Sequence, residues 1–497
     1  MARIVVIGAG VGGMAAAARL RVKGHDVRIL EQSDTAGGKA KAFSRDGFVF
    51  DTGPSLLTIP AVYRDLFLKT GASLEDSLDL RPVDPGTKYH WSDGTKVQLP
   101  GVGTAASAEA LAAVVGTQAG TQWRALMTRA AKMWQLTRKP ILESPVSGPR
   151  DLFKLISSID DVRTIAPGTS LRKLGKQTFD DPRMVMLLDR FATYTGSDPR
   201  KAPAALATVP YVEQVFGSWH IGGGISNLSG ALYQRCLERG VTVDFNADVT
   251  QVVTDAGRVS AVRLADGQTL TCDIVVANSD ATHLYADLLT RSVSRGPLKQ
   301  LRKSTASFSG FVLMLAVQGR TPGISHHNLW FPADYDAEFD SVFTGREVAD
   351  PAIYACVPDD PAMRPDDDHE SWFILVNAPR HGNDKGARDW SSPEFANTYA
   401  DQILERLAHR GTDLRERVLW RELRTPADLE RLTRAPGGAI YGTSSNGARA
   451  AFLRPANQSP LPGLYLVGGS SHPGGGLPLV GMSAEIVSNL IGRAPRS

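Results

Sequence analysis

An apolar run from Ile4 to Ile7 breaks into Gly8-Ala9-Gly10-Val11-Gly12-Gly13, continues as an Ala-rich stretch, and is stopped by Gly24. A second run, Val27 to Leu30, ends at Glu31. Strand, glycine-rich turn, helix and strand in this order open a parallel βαβ unit built to hold a dinucleotide. Gly8, Gly10 and Gly13 complete the G-x-G-x-x-G spacing. The first permits a tight turn, the second lets backbone approach a pyrophosphate, and the third lets helix pack on strand. The phosphates are expected at the helix N-terminus, where unpaired N–H groups and the dipole favour an anion. Glu31 lies 18 residues after Gly13, where a carboxylate accepts the hydroxyls of an adenosine ribose. Such an acid admits NAD or FAD and disfavours NADP.

Three further features select FAD. Ala36-Gly37-Gly38-Lys39 adds a second backbone-rich turn, with Gly38 and the Lys39 cation beside the same pyrophosphate. The backbone of Val249 is placed to pair with an adenine edge. Near the end, Leu464 to Val467 leads into Gly468-Gly469-Ser470-Ser471-His472-Pro473-Gly474-Gly475-Gly476 and then a helix, a second strand, turn and helix that should return to the first domain. This much wrapping suits a long, permanently held cofactor. The N-terminal turn of the last helix, at Pro478, Leu479 and Met482, is expected to face the flavin pyrimidine and stabilise charge on reduced flavin.

A chain of 497 residues exceeds one compact domain and predicts two or three. The net charge of +3, from 55 basic and 52 acidic residues, excludes nucleic acid as the partner of the whole chain. Cys236, Cys272 and Cys356 are dispersed and in no metal-type spacing, which predicts a reducing compartment and neither a disulfide framework nor a metal site. No apolar run approaches the roughly 20 residues of a membrane span, so the expectation is a cytoplasmic protein, soluble or peripheral to the inner membrane surface. Residues 121–176 carry eleven Lys and Arg against four acids, a surplus of seven, interleaved with Trp123, Trp134, Leu136, Ile141, Leu152, Phe153 and Ile156. That composition suits an interfacial helix on anionic lipid; a solvated basic face is the plainer alternative.

The predicted fold is α/β, with a Rossmann-like FAD-binding domain, a mixed-sheet substrate domain and a helical, membrane-facing subdomain. The first is discontinuous, over 1–105, 205–290 and 455–497; the helical subdomain spans 105–205 and the substrate domain 290–455. Between Gly240 and Leu264, alternating valines predict a meander of short strands. Ile274 to Asn278 reads as a buried strand. Phe308 to Val317 and Trp372 to Asn377 read as a separate sheet.

Asp51-Thr52-Gly53-Pro54-Ser55-Leu56-Leu57-Thr58, His327-Asn328 to Asp334-Tyr335, Gly438-Ala439-Ile440-Tyr441-Gly442, and Gly463-Leu464-Tyr465 through Gly476 together resemble the bacterial-type phytoene desaturase family of carotenoid oxidoreductases. The resemblance spans nearly the whole chain, in order. It implies FAD, a long apolar tunnel for a lipophilic carotenoid, contact with a membrane surface, and quinone or oxygen as electron acceptor. Carried over by position, it implies FAD contacts at Gly8, Gly10, Gly13, Glu31, Gly38, Lys39, Val249, Gly469, Ser470 and Pro478 to Met482. Many relatives place an Asp where Ser470 stands.

The activity implied is desaturation: oxidised flavin takes a hydride from an allylic carbon, a weak base or water takes the second hydrogen, and the protein chiefly aligns the chain. His472, beside the flavin-facing glycines, is the candidate proton-transfer residue, with a His-Pro turn as the alternative. Gly53, Pro54 and Ser55 are expected against the flavin or at the tunnel mouth, or else in a plain turn. His326 and His327 are expected as satisfied histidines, and Asp198 and Glu213 as capping or solvated acids. Competing outcomes on the same fold are a carotenoid ketolase or oxygenase, a non-redox isomerase using reduced flavin, and a flavin amine oxidase. A flavin-bearing carotenoid carrier without turnover is the non-enzyme alternative.

Overall fold

The structure is a computed structural model that describes residues 1–146, 158–447, 450 and 454–495. Arg150, Asp151, Leu152, Phe153, Lys154 and Ile156 of the basic stretch lie outside the described residues.

Five short β-branched strands make an all-parallel sheet in the order Leu464–Leu466, Ile274–Ala277, Arg3–Ile7, Asp26–Leu30, Thr242–Asp244. Parallel strands need cover on both faces, and these have it. Helices Val11–Val22, Ala61–Thr70, Ser226–Glu238 and Leu477–Ile491 share one apolar cluster with Ile4, Val6, Val27 and Ile29. Val5, Ile7 and Leu30 face the other way. They meet a three-stranded antiparallel sheet, Val249–Asp255, Arg258–Leu264 and Thr269–Thr271.

The second sheet has seven strands, ordered Val418–Arg424, Ser309–Gln318, His369–Ala378, Ile353–Cys356, His327–Trp330, Thr87–His90, Lys96–Gln98. Its second strand, Ser309–Gln318, is flanked on both sides, is buried along nine of its ten residues and so reads as a continuous apolar run. Phe311, Leu313, Leu315 and Val317 pack beneath helix Pro393–His409, while Val312, Met314 and Ala316 face the largest apolar cluster. That cluster also takes residues from the helices between 104 and 207 and roofs the sheet on its inner side.

Three expectations change. Thr242–Asp244 is not part of the meander; it pairs in parallel with Asp26–Leu30 and forms the edge of the first sheet, a pairing that valine alternation cannot reveal. Thr87–His90 and Lys96–Gln98, expected within the FAD-binding segment 1–105, belong to the seven-stranded sheet, where Thr87–His90 runs parallel to His327–Trp330. In the basic stretch, Trp123 and Trp134 point inward: Trp123 stacks on Phe179 and donates its indole N–H to Gln214 at 3.2 Å, and Trp134 packs with Phe216. Arg172 is bound to Asp189 and Asp336, and Arg129 donates to the carbonyls of Arg163 and Thr164. Two of the eleven cations of this stretch are therefore spent on partners within the fold.

Candidate functional site

The glycine turn closes around a residue that sequence reasoning passed over. Asn278, just after strand Ile274–Ala277, accepts the Gly13 N–H through Oδ1 at 2.9 Å and donates through Nδ2 to the Val467 carbonyl at 3.1 Å. It ties the first glycine turn to the C-terminal one. A Cβ on Gly10 would lie 2.7 Å from Asn278 Oδ1, and one on Gly13 would lie 2.2 Å from the Gly8 carbonyl oxygen. Only glycine fits either position. The N–H groups of Val11 and Gly12, in the first helical turn, have no carbonyl of their own helix to bond. They face the place where a pyrophosphate is expected.

Glu31 is buried at the end of its strand. Its carboxylate accepts the Ala9 N–H at 2.7 Å and the Ser33 N–H and hydroxyl at 2.9 and 2.7 Å. Gly37 bridges back to Gly10, with its N–H on the Ala9 carbonyl at 2.9 Å, so the second glycine turn lies directly on the first. Lys39 continues it. Its Nζ donates to the Ile440 carbonyl at 2.8 Å and to that of Ala439 at 3.3 Å. Protein crowds this ammonium while leaving it accessible to solvent; the crowding lowers its pKa, and Asp280 opposes the shift. Gly53 belongs to the same assembly, since a Cβ there would sit 1.9 Å from the Lys39 carbonyl oxygen.

The C-terminal segment is stitched by Arg454, which was not foreseen. Its guanidinium donates to the carbonyls of Gly469 at 2.8 Å, Thr443 at 2.7 Å and Tyr441 at 3.0 Å. Burial brings its pKa down to about 10, against the opposing field of Asp280. Ser470, the departure from the wider pattern, accepts the Ala281 N–H at 2.9 Å and so holds the turn that carries Asp280. Pro478, Leu479 and Met482 stand on helix Leu477–Ile491, whose first carbonyl accepts from Tyr63 at 2.6 Å. Val249 is buried with Ile7 and Leu30, at the ends of the two central strands. The structure thus brings Gly8, Gly10, Gly13, Glu31, Gly38, Lys39, Gly53, Gly469 and Ser470 into one connected cradle. Its two glycine turns, buried acid and added cation fit a flavin dinucleotide.

His472 and Ser55 take partners outside the glycine turns, and Glu213 differs from expectation. The His472 Nε2 lies 2.8 Å from the Ile141 carbonyl and 3.0 Å from that of Ser144. Carbonyls only accept, so Nε2 carries the proton and anchors the turn Arg138–Leu142, which leaves Nδ1 as the basic nitrogen of the ring. Burial lowers its pKa. The Ser55 hydroxyl is 2.7 Å from the Tyr354 hydroxyl, which is 2.8 Å from His327 Nδ1, so Ser55 joins the second sheet and not the glycine cradle. Glu213 is neither a cap nor solvated: burial raises its pKa, and it accepts from the Tyr194 hydroxyl at 3.2 Å. Asp198 does cap, accepting the Arg200 N–H at 2.9 Å.

Arg190, Tyr194 and Glu213 are half-buried beside one another: the Arg190 guanidinium lies 5.0 Å from the Tyr194 ring centre, and the Tyr194 hydroxyl donates to Glu213 at 3.2 Å. The Tyr354 ring centre lies 5.8 Å from the Arg190 guanidinium, and its hydroxyl meets His327. His327 is 1% exposed with Nε2 unpartnered, and burial pushes its pKa down to about 3, leaving the ring neutral. The cross-strand pair of His327 and Cys356, with His326, brings ring nitrogens and thiol within 4.8 Å of one another, a grouping that the linear cysteine spacing does not show.

A cradle built for a flavin dinucleotide defines a flavoprotein. The comparisons agree: the model of the flavin-containing amine oxidoreductases matches residues 11–491. The chain is 32% identical to the 4,4'-diapolycopene oxygenase of Methylomonas sp over 98% of both chains. It is 31% identical to the hydroxyneurosporene desaturase of Rhodobacter capsulatus, over 96% of this chain and 94% of that one. In fold it is similar to the cyclohexylamine oxidase of Brevibacterium oxydans, with a TM-score of 0.62 at 14% identity, covering 99% of each. The protein belongs to the flavin-containing amine oxidoreductase family, among its bacterial phytoene-desaturase-type members, and is an FAD-dependent oxidoreductase.

Proposed function

We propose that the protein is a carotenoid desaturase, removing a hydride and a proton from adjacent carbons of an extended polyene to form a new conjugated double bond. FAD, when bound, supplies the hydride acceptor. The chain's own residues hold and orient. Asn278 ties the N-terminal glycine turn to the C-terminal one, Lys39 and Arg454 tie their turns to the segment 439–443, and the protein's part in the reaction is to hold an extended substrate at one register. The proton leaves to water or to a weak base; His472, with Nε2 committed to two carbonyls, could act only through Nδ1. The observation that carries this reading is the full-length kinship with a hydroxyneurosporene desaturase.

Among the described residues no helix is long and apolar enough to cross a membrane. Access to a lipophilic substrate is proposed through peripheral contact with the cytoplasmic membrane surface. Lys132, Arg138 and Lys139 are exposed there beside the half-buried Leu136 and Ile141, and Ile159 is 75% exposed. Quinone or oxygen is proposed as the final electron acceptor.

The test is anaerobic: FAD-loaded protein is mixed with liposomes carrying phytoene, neurosporene or hydroxylated carotenoids, and flavin absorbance and product mass are followed. Flavin bleaching with products lighter by two hydrogens per step is expected. Kinship with a diapolycopene oxygenase favours a second reading, insertion of oxygen. Its signature is no anaerobic product and a gain of oxygen in air.

A further inference from the structure

Where the seven-stranded sheet meets the segment that follows Gly53, three side chains with lone pairs converge. His327 and Cys356 face each other across the antiparallel strands His327–Trp330 and Ile353–Cys356, so both project from the same side of the sheet. His326, the residue before the first of these strands, brings its ring centre to 4.6 Å from that of His327. A nitrogen of each ring and the thiol sulfur lie within 4.8 Å of one another.

The two rings are not the satisfied histidines that the sequence predicts. Nε2 of His326 and Nε2 of His327 are both buried without a hydrogen-bond partner among the described residues. A buried nitrogen left so is costly, and two side by side call for a ligand. That ligand is not a proton. Burial holds the His327 pKa at about 3 and that of His326 well below the ordinary value, and neighbouring rings add to it: His327 and His220 for His326, His220 for His327. Neutral imidazole is the form that binds a metal, and two imidazoles with a thiol are the donor set of a borderline-soft cation.

The surroundings supply the outer partners such an ion needs. His327 Nδ1 is 2.8 Å from the Tyr354 hydroxyl, itself 2.7 Å from that of Ser55. An ion on Nε2 selects the tautomer in which Nδ1–H donates to Tyr354 and Tyr354 donates to Ser55, and this fixes the ring. The Cys356 sulfur lies 3.9 Å from the Ser55 carbonyl. Beside His326 stands His220, with ring centres 4.9 Å apart and its Nε2 held 2.8 Å from the Asp360 carboxylate. A tetrahedral zinc ion, with bonds of about 2.0–2.3 Å, keeps its ligand atoms about 3.3–3.7 Å apart, so side-chain rotations that move these atoms by about 1 Å close them on it. His326 is half-buried and marks the side from which an ion enters.

We propose that His326, His327 and Cys356 bind a thiophilic divalent cation of the zinc class through two imidazole nitrogens and a thiolate, with the fourth position left to water. Burial and the Asp51 carboxylate keep the free thiol protonated; coordination displaces that proton to solvent, one for each ion bound. Through Tyr354 and Ser55 the ion staples the seven-stranded sheet to the segment in which Gly53 packs on the Lys39 carbonyl. The site is independent of the substrate and of the reaction.

The test uses the full FAD-loaded chain, stripped with a chelator and then supplied with zinc or cobalt(II). Chelator-treated protein is the metal-free reference for every stability measurement on these residues. Stoichiometric zinc is expected to stay with the chain through gel filtration, by elemental analysis, and to raise its Tm. Cobalt is expected to give a thiolate-to-metal charge-transfer band, with d–d absorption on the long-wavelength side of the flavin. Tyr354→Phe removes only an outer partner and should lower zinc affinity by about tenfold to a hundredfold. Cys356→Ser should lower it further and abolish the charge-transfer band. If that variant does not fold, His326→Gln, at the half-buried position, should also lose stoichiometric zinc. Cys272→Ser, beside the three-stranded sheet, should keep both metal and band.

Absence of stoichiometric zinc from the wild type overturns the proposal and assigns the two nitrogens to buried water. Zinc retained by both Cys356→Ser and His326→Gln, or cobalt bound without a thiolate band, puts the ion elsewhere and overturns it equally. Each of these results leaves the desaturase reading standing.

Discussion

Asn278 Oδ1 sits 2.9 Å from the Gly13 N–H while its Nδ2 holds the Val467 carbonyl, so one amide clamps the N-terminal glycine turn to the strand that carries the C-terminal one. Asn278→Ala leaves the Gly13 N–H without its acceptor and both turns without their tie. The expected loss is about 1–3 kcal/mol of stability, the range for a buried polar group left unpaired. A matching fall in flavin retention should appear as a lower flavin-to-protein ratio after gel filtration. Unchanged retention at wild-type Tm would show that the clamp carries no load.

Two glycines should respond oppositely to the same substitution. Gly53→Ala drives a methyl to 1.9 Å from the Lys39 carbonyl oxygen, a clash of backbone with backbone. It should cost about 3 kcal/mol or more and abolish flavin binding. Gly230→Ala, in helix Ser226–Glu238 with open space around the added carbon, should be neutral or stabilising by up to about 1 kcal/mol. Thermal unfolding of the two variants side by side checks both.

His472 is expected to act on structure and not on proton transfer. His472→Gln keeps an N–H for the Ile141 and Ser144 carbonyls and should leave the shape of the pH–rate profile unchanged. His472→Phe removes the donor and should lower stability by about 1–3 kcal/mol. Loss of a kinetic pKa in the glutamine variant would restore His472 as a base.

Acid should weaken the fold partly through His327. Its pKa in the folded chain is about 3, below the ordinary 6.5, so between those values the unfolded chain binds a proton that the native ring refuses. Stability from this group is complete above pH 6.5 and is lost as pH falls toward 3. Glu338 and Asp189, both raised to about 7 mainly by burial, act in the opposite sense over part of that window. The wild-type curve therefore mixes the two, and the variant isolates one. The stability advantage of wild type over His327→Gln should shrink by roughly 1–3 kcal/mol between pH 7 and pH 4.5, read from urea unfolding. A constant gap across that range would mean that the ring is protonated in the native state.

The amino-acid order alone determined the elements whose signals are local. Gly8, Gly10, Gly13 and Glu31 announce the dinucleotide unit because the turn, the close approach and the ribose acceptor all fall within one βαβ stretch. The apolar run Phe308 to Val317 likewise announces a buried strand, since its neighbours along the chain are enough to show it. Only the tertiary structure decided which distant groups meet. Asn278 finds Gly13, Arg454 finds Gly469, and Lys39 finds Ile440, in each case through one side chain whose type fits many roles. Thr87–His90 and Lys96–Gln98 join a sheet whose other five strands come more than two hundred residues later, and Trp123 turns inward from a segment that reads as a basic surface. Spacing along a chain fixes local period and turn geometry. Hydrogen-bond partners and the side of a helix that is covered depend on how separate elements pack, and nothing in the local pattern records that packing.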